Sequence, residues 1–214
     1  MGSLTGDRVV LPEDIQRRLA VWRGVGALGL CALWAWFGFV KDAEVPVLQY
    51  LDIAVHEVGH VVFRPFGEFT MLIMGSGTEV LFPFVVGLVL LVWKRDLIAT
   101  GICWAWSAAA AANAARYIAD ATQGSLALMG TGPDAMGDWE RVLGPEHLDK
   151  LALADDYASQ VRTAGLLLMA VAFSLVIAGI VWNLQKARSL DPHRRAPVTV
   201  RTPIEPVAPD DMWR

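Results

Sequence analysis

Long apolar runs separated by short charged breaks dominate the hydrophobic pattern of the chain. Helices that cross a bilayer typically contain roughly 17 to 25 mainly apolar residues. Three runs have this length, residues 24–40, 97 to about 121, and 165–182, and a shorter apolar run, residues 80–93, is interpreted as a fourth span. The pattern predicts an all-α membrane protein, a polytopic helical bundle with about four spans.

A fifth apolar segment, residues 47–63, carries a polar strip. Asp52, His56 and His60 are four residues apart, so in a helix they project from one face, with Glu57 beside them. Ionisable side chains at membrane depth are costly and mark functional sites. We therefore predict that this segment is the active helix. It either inserts half-way and returns to the same side or crosses fully with a tight return.

Glycines punctuate the segment that follows the active helix. Gly67, Gly75 and Gly77 fall within the short stretch of residues 66–78. Irregular backbone is tolerated at membrane depth only where protein or a water cavity covers it. The glycines predict a re-entrant turn or hairpin that packs against the active helix.

Polar segments divide the chain into three parts. We predict a cytoplasmic leader at residues 1–22, a membrane domain at 23–182 that includes a polar, acidic loop at 122–163, and a disordered cytoplasmic tail at 183–214. Basic residues cluster before the first span, between the middle spans and after the last span. By the positive-inside rule, both termini then lie in the cytoplasm and the acidic loop lies outside.

Composition agrees with the membrane class. Of the 214 residues, 55% are hydrophobic and only 19% are charged, which is too apolar for an ordinary soluble domain. The net charge of -4, without a long basic block, argues against nucleic acid as a partner. The lipid bilayer is the partner that this composition predicts.

The strongest chemical signal is the pentapeptide that begins at His56 and ends at His60. Two imidazoles four residues apart on a helix supply half of a tetrahedral zinc shell, with a third protein ligand from elsewhere and an open position for water. Zinc lowers the pKa of that water to roughly 7. Glu57 can then take its proton during attack on a carbonyl and pass it to the leaving group. The pattern predicts a zinc hydrolase with Zn2+ as cofactor.

A second polar face lies on the run that starts at residue 97. Asn113, Arg116, Tyr117 and Asp120 are offset by three, four and seven positions, which places them on one side of a helix. The alanine-rich first part of the same run favours a position at the centre of the bundle, because small residues let helices approach closely.

Further blocks of sequence accompany the pentapeptide. They are Leu51-Asp52-Ile53-Ala54-Val55-His56-Glu57-Val58-Gly59-His60, Phe63, Pro65-Phe66-Gly67-Glu68-Phe69, Gly75-Ser76-Gly77, Tyr117-Ile118-Ala119-Asp120-Ala121, Asp138-Trp139 and Leu143-Gly144. On these blocks the chain resembles small bacterial membrane proteins classed with the site-2-protease-like zinc metallopeptidases. The blocks extend over roughly residues 50–144, about half of the chain.

The resemblance implies a zinc site in the membrane, with His56 and His60 as ligands and Glu57 as the general base. In the better-known intramembrane proteases the third ligand is an aspartate on a later spanning helix, preceded by an asparagine about two turns earlier. Asn113 and Asp120 are similar in arrangement, although the prolines and the Asp-Gly of that pattern are absent. The resemblance thus implies Asp120 as third ligand and Asn113 as a catalytic residue.

Each of these candidates has an alternative. Asp120 can instead pair with Arg116 one turn away and cap the helix end. Asp138 is the alternative third ligand, or else a loop or helix-cap aspartate. Asn113 is either a helix-packing residue or an oxyanion donor. Glu79 stands where the subgroup usually has glutamine, and it is either a structural carboxylate or a partner to a histidine.

These residues, together with the resemblance, predict a zinc-dependent intramembrane or membrane-proximal peptidase that acts on a membrane protein or peptide, and the resemblance implies a bacterial inner membrane. Gly137 departs from the subgroup, which usually has histidine before the Asp-Trp pair. This departure favours an alternative function, a weakened or inactive relative that serves as a structural subunit of a membrane complex. The intact Glu57 argues for the enzyme. A metal-binding or transport protein is a further alternative.

Overall fold

The computed structural model describes residues 13–126 and 136–189, and all regular structure within them is helical. The six α-helices are α1 (Glu13–Ala35), α2 (Leu48–Phe63), α3 (Glu68–Val89), α4 (Leu97–Asp120), α5 (Asp138–Leu143) and α6 (Ala154–Ser189). Single π-helical turns extend α1 through Trp36–Val40 and α3 through Leu90–Lys94, and 3-10 turns occupy Arg64–Phe66 and Leu151–Leu153.

Four helical segments are long and apolar enough to cross a membrane. They are Arg18–Val40, Glu68–Lys94, Leu97–Asp120 and Leu151–Lys186. Each satisfies its backbone hydrogen bonds internally, which a hydrocarbon environment demands. The prediction of an all-α protein with four helices able to span a membrane is confirmed for the described residues. The helix α2 is shorter than these segments and is not among them.

The helix α4 is the centre of the bundle, as its alanines predict. In its most apolar stretch 61% of the residues are buried, against 22% to 28% in the other three spans. Ala105, Ala108 and Ala110 are fully covered by neighbouring helices. At Gly101 an added Cβ atom would lie 2.5 Å from Val176 on α6, so the two backbones meet more closely than larger residues would allow.

One end of the bundle contains the first turns of α1, the connection between α3 and α4, and the last turns of α6. Arg23 on α1 forms an ion pair with Asp96, and Ile180 on α6 packs against Gly24. Burial raises the pKa of Asp96, but the hydrogen bond and charge of Arg23 and the backbone N–H of Ala99 outweigh burial and hold that pKa below its ordinary value. The start of α1 and the end of α6 therefore lie on the same side.

The opposite end of the bundle contains the α1–α2 connection and the start of α6. Arg162 donates hydrogen bonds to the Asp42 carboxylate at 2.6 Å and to the Phe39 carbonyl at 2.9 Å. Arg116 near the end of α4 donates to the Asp42 carbonyl at 3.2 Å. These contacts fix the entrance to α2 against both α4 and α6.

The predicted re-entrant turn at residues 66–78 is wrong. Within this stretch only Gly67, with φ at 100°, interrupts the helical conformation. The helix α3 begins at the next residue and continues through Gly75 and Gly77. The reason is close packing. An added Cβ at Gly75 would collide with the histidines of α2, and one at Gly59 would lie 2.2 Å from the Met74 carbonyl oxygen. Glycines that signal a turn in sequence here let two helices touch.

The predicted segment boundaries differ from the helices at both ends of the domain. The helix α1 begins at Glu13, so residues 13–22 of the predicted leader continue into the first span. The helix α6 runs from Ala154 to Ser189 and includes the acidic end of the predicted loop and the first residues of the predicted tail. Parts of the predicted leader, loop and tail, residues 1–12, 127–135 and 190–214, lie outside the described residues.

Candidate metal centre

The helix α2 carries the histidines, and sequence signals set both of its ends. Val47, with φ at 70°, ends the helical backbone on its N-terminal side, and Pro65 follows it within the terminal 3-10 turn. Its buried face includes Asp52, whose carboxylate accepts a 2.7 Å hydrogen bond from the Trp106 indole on α4. This bond and the close contact at Gly59 fix the rotation of α2 about its axis.

The Nδ1 atoms of both histidines have partners on α3. His56 Nδ1 lies 2.6 Å from Glu79 Oε1, and His60 Nδ1 donates to the Met71 carbonyl at 2.8 Å. A carbonyl oxygen only accepts hydrogen bonds, so the Nδ1 atom of His60 carries a hydrogen. In a neutral His60 ring the lone pair is then on Nε2. Such partners orient the imidazoles that bind metals in proteins.

Asp138 completes the cluster from the other side. Its Oδ2 atom lies 3.1 Å from the Nε2 atom of His56 and 3.1 Å from that of His60. The three potential ligand atoms all lie within 4.8 Å of one another. Burial raises the pKa of Asp138, but a hydrogen bond from His56 and the charges of both histidines outweigh burial and lower it below the ordinary value. With the histidines protonated the carboxylate is therefore ionised, and a metal ion would replace the Nε2 hydrogens that bond to it.

Two hydrogen bonds fix the short helix α5 that carries this aspartate. The backbone N–H of Asp138 donates to the Tyr117 hydroxyl on α4 at 2.9 Å, and the Trp139 indole donates to the Ser76 hydroxyl on α3 at 3.1 Å. Because these partners lie on two spanning helices, the bundle itself positions the carboxylate.

The arrangement fits a divalent cation. If both Nδ1 atoms carry hydrogens, two Nε2 lone pairs and a carboxylate oxygen face one another, and a positive charge between them relieves their repulsion. Zinc bound at roughly 2.0–2.1 Å in a tetrahedron separates its ligand atoms by about 3.3 Å. The observed 3.1 Å separations of Asp138 Oδ2 from the nitrogens of His56 and His60 are close to this value.

Gly75 leaves the room that such a cation needs. A Cβ atom at this position would lie 2.6 Å from His56 Nε2, 2.6 Å from His60 Cε1 and 2.7 Å from His60 Nε2. Any side chain here would therefore occupy the space beside the ligand nitrogens. The glycine is a feature of the site as well as of the helix contact.

Glu57 and Glu79 have different surroundings. Glu57 is exposed, and within the part of the chain that the structure describes it has no hydrogen bond or ion pair, so its carboxylate is available to water or a ligand. Glu79 is buried, and only one of its oxygens is paired, with His56, while Oε2 has no partner among the described residues. Glu79 therefore holds the His56 ring, whereas the Glu57 carboxylate is exposed.

Two residues predicted for the site lie apart from the histidines. Asp120 accepts hydrogen bonds from the backbone N–H groups of Ser125 at 3.0 Å and Leu126 at 2.9 Å, and from the Ser125 hydroxyl, so it closes the turn after α4. Asn113 accepts a 2.6 Å bond from Arg116. Among the two aspartates considered as third ligand, the structure brings Asp138 to the histidines and leaves Asp120 in a turn. The identity of the ligand in solution stays a prediction.

Sequence reasoning missed several contributors to the site. Nothing local marks the Met71 carbonyl or the Ser76 hydroxyl. One available signal was the spacing of Gly75 and Glu79, which are four residues apart and share a face of α3. Tyr117 was recognised only as a member of the polar face of α4, yet its ring centroid lies 6.2 Å from that of His56.

Comparison of the chain with protein-family models, with curated proteins and with solved structures finds no match. Its functional interpretation therefore depends on its own motifs and on the geometry of this cluster.

Proposed function

We propose that this protein is a zinc-dependent peptidase of the site-2-protease-like kind, which hydrolyses a peptide bond in or near the membrane. One observation carries the proposal. His56 Nε2, His60 Nε2 and Asp138 Oδ2 converge beside Gly75, and Glu57, whose carboxylate has no partner among the described residues, directly follows the first histidine.

The contacts suggest a role for each residue in the reaction. Bound zinc supplies a Lewis acid that polarises a carbonyl and makes water acidic. His56, His60 and Asp138 hold the ion, and Glu79 keeps the His56 ring in the orientation that presents Nε2. Glu57 takes one proton from water as the water oxygen bonds to the carbonyl carbon. It then delivers that proton to the amide nitrogen as the C–N bond breaks, which leaves a carboxylic acid and an amine.

The position of the cluster in the bundle supports a membrane substrate. Tyr117 and the start of α5 lie near the last turns of α4, far along that helix from the Arg23–Asp96 pair. In the proposed orientation both termini are in the cytoplasm of a bacterial cell, so the cluster lies toward the outer face of the inner membrane. A substrate helix must unwind to present a carbonyl there, because helical carbonyls are already paired.

One observation favours a second candidate, a non-catalytic subunit of a membrane complex. Gly137, where the resembling proteins usually have histidine, offers no side chain to the site, and the nearest side-chain atom to an added Cβ is the Tyr117 hydroxyl oxygen at 3.2 Å. In this alternative the histidine cluster stabilises the fold and no reaction follows.

Zinc content of the detergent-purified protein tests the metal site. We expect about one zinc per chain in wild type, as in catalytic zinc sites with three protein ligands. His56→Ala and Asp138→Asn should lose the metal. Asp120→Asn is the matched control and should retain it, because Asp120 closes a turn. A wild type free of zinc after purification without chelators overturns the proposal.

Hydrolysis of fluorescein-labelled casein in detergent separates the two candidate functions. Glu57→Gln should keep its zinc and lose activity by roughly 100-fold or more, the usual contribution of a general base. If wild type binds zinc and cleaves casein no faster than Glu57→Gln, the proposal of a peptidase is refuted, and the result favours the non-catalytic subunit of a membrane complex.

A further inference from the structure

A small cavity lies where the α1–α2 connection and the start of α2 meet the middle of α4. It encloses about 230 Å³ of space, its open mouth included. Four polar side chains line it, and they belong to Glu44, Gln49, Asp52 and Asn113, while the remaining lining residues are alanines and a valine. None of the residues that line the cavity belongs to the histidine cluster, so the two sites are separate.

Asp52 directs an unpaired oxygen into this cavity. The residue is only 5% exposed, and its Oδ1 accepts the 2.7 Å hydrogen bond from the Trp106 indole. Its Oδ2 has no hydrogen-bond partner among the described residues. Protein atoms enclose the unpaired Oε2 of Glu79 but not this oxygen. Because Asp52 lines the cavity, its unpaired oxygen faces that space.

The other polar groups of the cavity are also unused. Within the part of the chain that the structure describes, the side chains of Glu44 and Gln49 make no hydrogen bond or ion pair. Asn113 accepts from Arg116 through its amide oxygen. Its amide N–H groups therefore stay available to an acceptor such as a water molecule.

Two carboxylates thus share the cavity without a cationic side chain. Arg116 bonds to neutral oxygens, Asn113 Oδ1 at 2.6 Å and the Asp42 carbonyl at 3.2 Å. No lysine, arginine or histidine of the described residues forms an ion pair with Glu44 or Asp52. A carboxylate removed from water is costly unless its charge is compensated. Asp52 must therefore take up either a proton or a cation.

We infer that this cavity binds a hard divalent cation, Ca2+ or Mg2+, through Asp52 Oδ2, the Glu44 carboxylate and the amide oxygen of Gln49. Carboxylate and amide oxygens are the ligands that these cations prefer, and water fills the remaining positions. The Asn113 amide holds one of those waters. The bound cation joins the α1–α2 connection to the first turns of α2. The inference does not depend on the proposed peptidase.

Luminescence of Tb3+ reports on such a site, because Tb3+ takes the same oxygen ligands as Ca2+ and emits when a nearby tryptophan is excited. Trp106 is bonded to Asp52, so Tb3+ in the cavity would lie close to its indole. With the detergent-purified full chain we expect saturable emission from about one Tb3+ per chain, displaced by Ca2+ with a Kd of about 0.1–1 mM. Displacement by Mg2+ at lower concentrations than by Ca2+ would identify Mg2+ as the preferred cation.

Two variants remove one negative charge each and keep the shape of the side chain. Glu44→Gln and Asp52→Asn should each weaken Ca2+ binding by about 10-fold or more, because the number of charged ligands sets the affinity. Glu146→Gln, at an exposed position outside the cavity, is the matched control and should bind as wild type does. His56→Ala should also bind Ca2+ normally, since it changes only the histidine cluster.

Thermal unfolding in detergent gives a second readout without Tb3+. A concentration of Ca2+ about tenfold above its Kd should raise the unfolding temperature of wild type by about 3 °C or more. The same addition should raise the unfolding temperature of Glu44→Gln and Asp52→Asn clearly less.

The possible outcomes are distinct. Equal Ca2+ binding by wild type and Glu44→Gln overturns the inference, and so does loss of binding in His56→Ala, which would place the ion at the histidine cluster. If a proton neutralises Asp52 instead, Ca2+ should neither displace Tb3+ nor change the unfolding temperature of wild type, which also overturns it. Should Asp52→Asn misfold, Glu44→Gln decides, because Glu44 is exposed. The proposed peptidase is tested separately, by zinc content and by Glu57→Gln.

Discussion

Replacement of Gly75 by alanine tests the geometry of the candidate metal centre with one added methyl group. The new Cβ atom would lie 2.6 Å from His56 Nε2 and 2.7 Å from His60 Nε2, whereas ordinary contacts begin at 3.4 Å. The ligand nitrogens would have to move by about 0.8 Å, against a tolerance of about 0.2 Å in metal–ligand distances. We therefore expect zinc affinity to fall by at least about 100-fold.

The fold itself should survive this substitution. Alanine in place of glycine inside a helix favours the helix by about 0.8–1.0 kcal/mol, so intrinsic helix propensity cannot account for a loss of metal. Gly77, two residues further along α3, provides the control. A Cβ at Gly77 would meet only the Met74 side chain, with the nearest atom Sδ at 3.0 Å, and a flexible thioether can move aside.

The assay is zinc content by elemental analysis, followed by competition with a chelator, on protein that is monodisperse in detergent. Gly77→Ala should bind zinc as wild type does, and Gly75→Ala should not. Zinc binding at the wild-type level by both alanine variants would refute the conclusion that α3 limits the space beside the histidines. Loss of zinc from both would mean that any change in this part of α3 disturbs the site.

Two further predictions concern a partner of the site and a distant ion pair. Glu79→Ala should lower zinc affinity by roughly 10- to 100-fold in chelator competition, because His56 loses the group that orients its ring, and wild-type affinity would argue against that role. Arg23 helps to hold the pKa of Asp96 below its ordinary 3.8. The resulting stability is fully present above pH 3.8 and is lost as the pH falls through the lowered value. The thermal unfolding temperature of wild type should therefore fall more over that pH range than the unfolding temperature of Arg23→Gln. Equal pH profiles for the two proteins would contradict this.

The spans could be predicted because the signal for each is local. A bilayer requires a certain length of apolar residues and leaves their backbone no stable alternative to a helix. The helical face that joins His56 and His60 is local in the same sense, since four positions separate the residues. The alanine-rich stretch of α4 likewise indicated the centre of the bundle from its own composition.

The glycines of α3 show where local reasoning fails. A glycine indicates either a backbone that needs positive φ or a surface that another group approaches closely. Gly67, with φ at 100°, is the first kind, and Gly75 is the second. The sequence does not distinguish them, because the atoms that would collide at Gly75 belong to His56 and His60 on another helix.

The tertiary structure also decides which carboxylate lies next to the histidines. Asp138 and His56 are separated by 82 positions, and their side chains meet only because α5 is bonded to both α3 and α4. Asp120 lies nearer in sequence and on a spanning helix, but the turn after α4 takes up its carboxylate. The sequence by itself determined that four apolar segments can span a membrane as helices and that two histidines share a face. Only the packing of α3, α4 and α5 around α2 decided which carboxylate faces those histidines, because that choice depends on contacts between segments far apart in the chain.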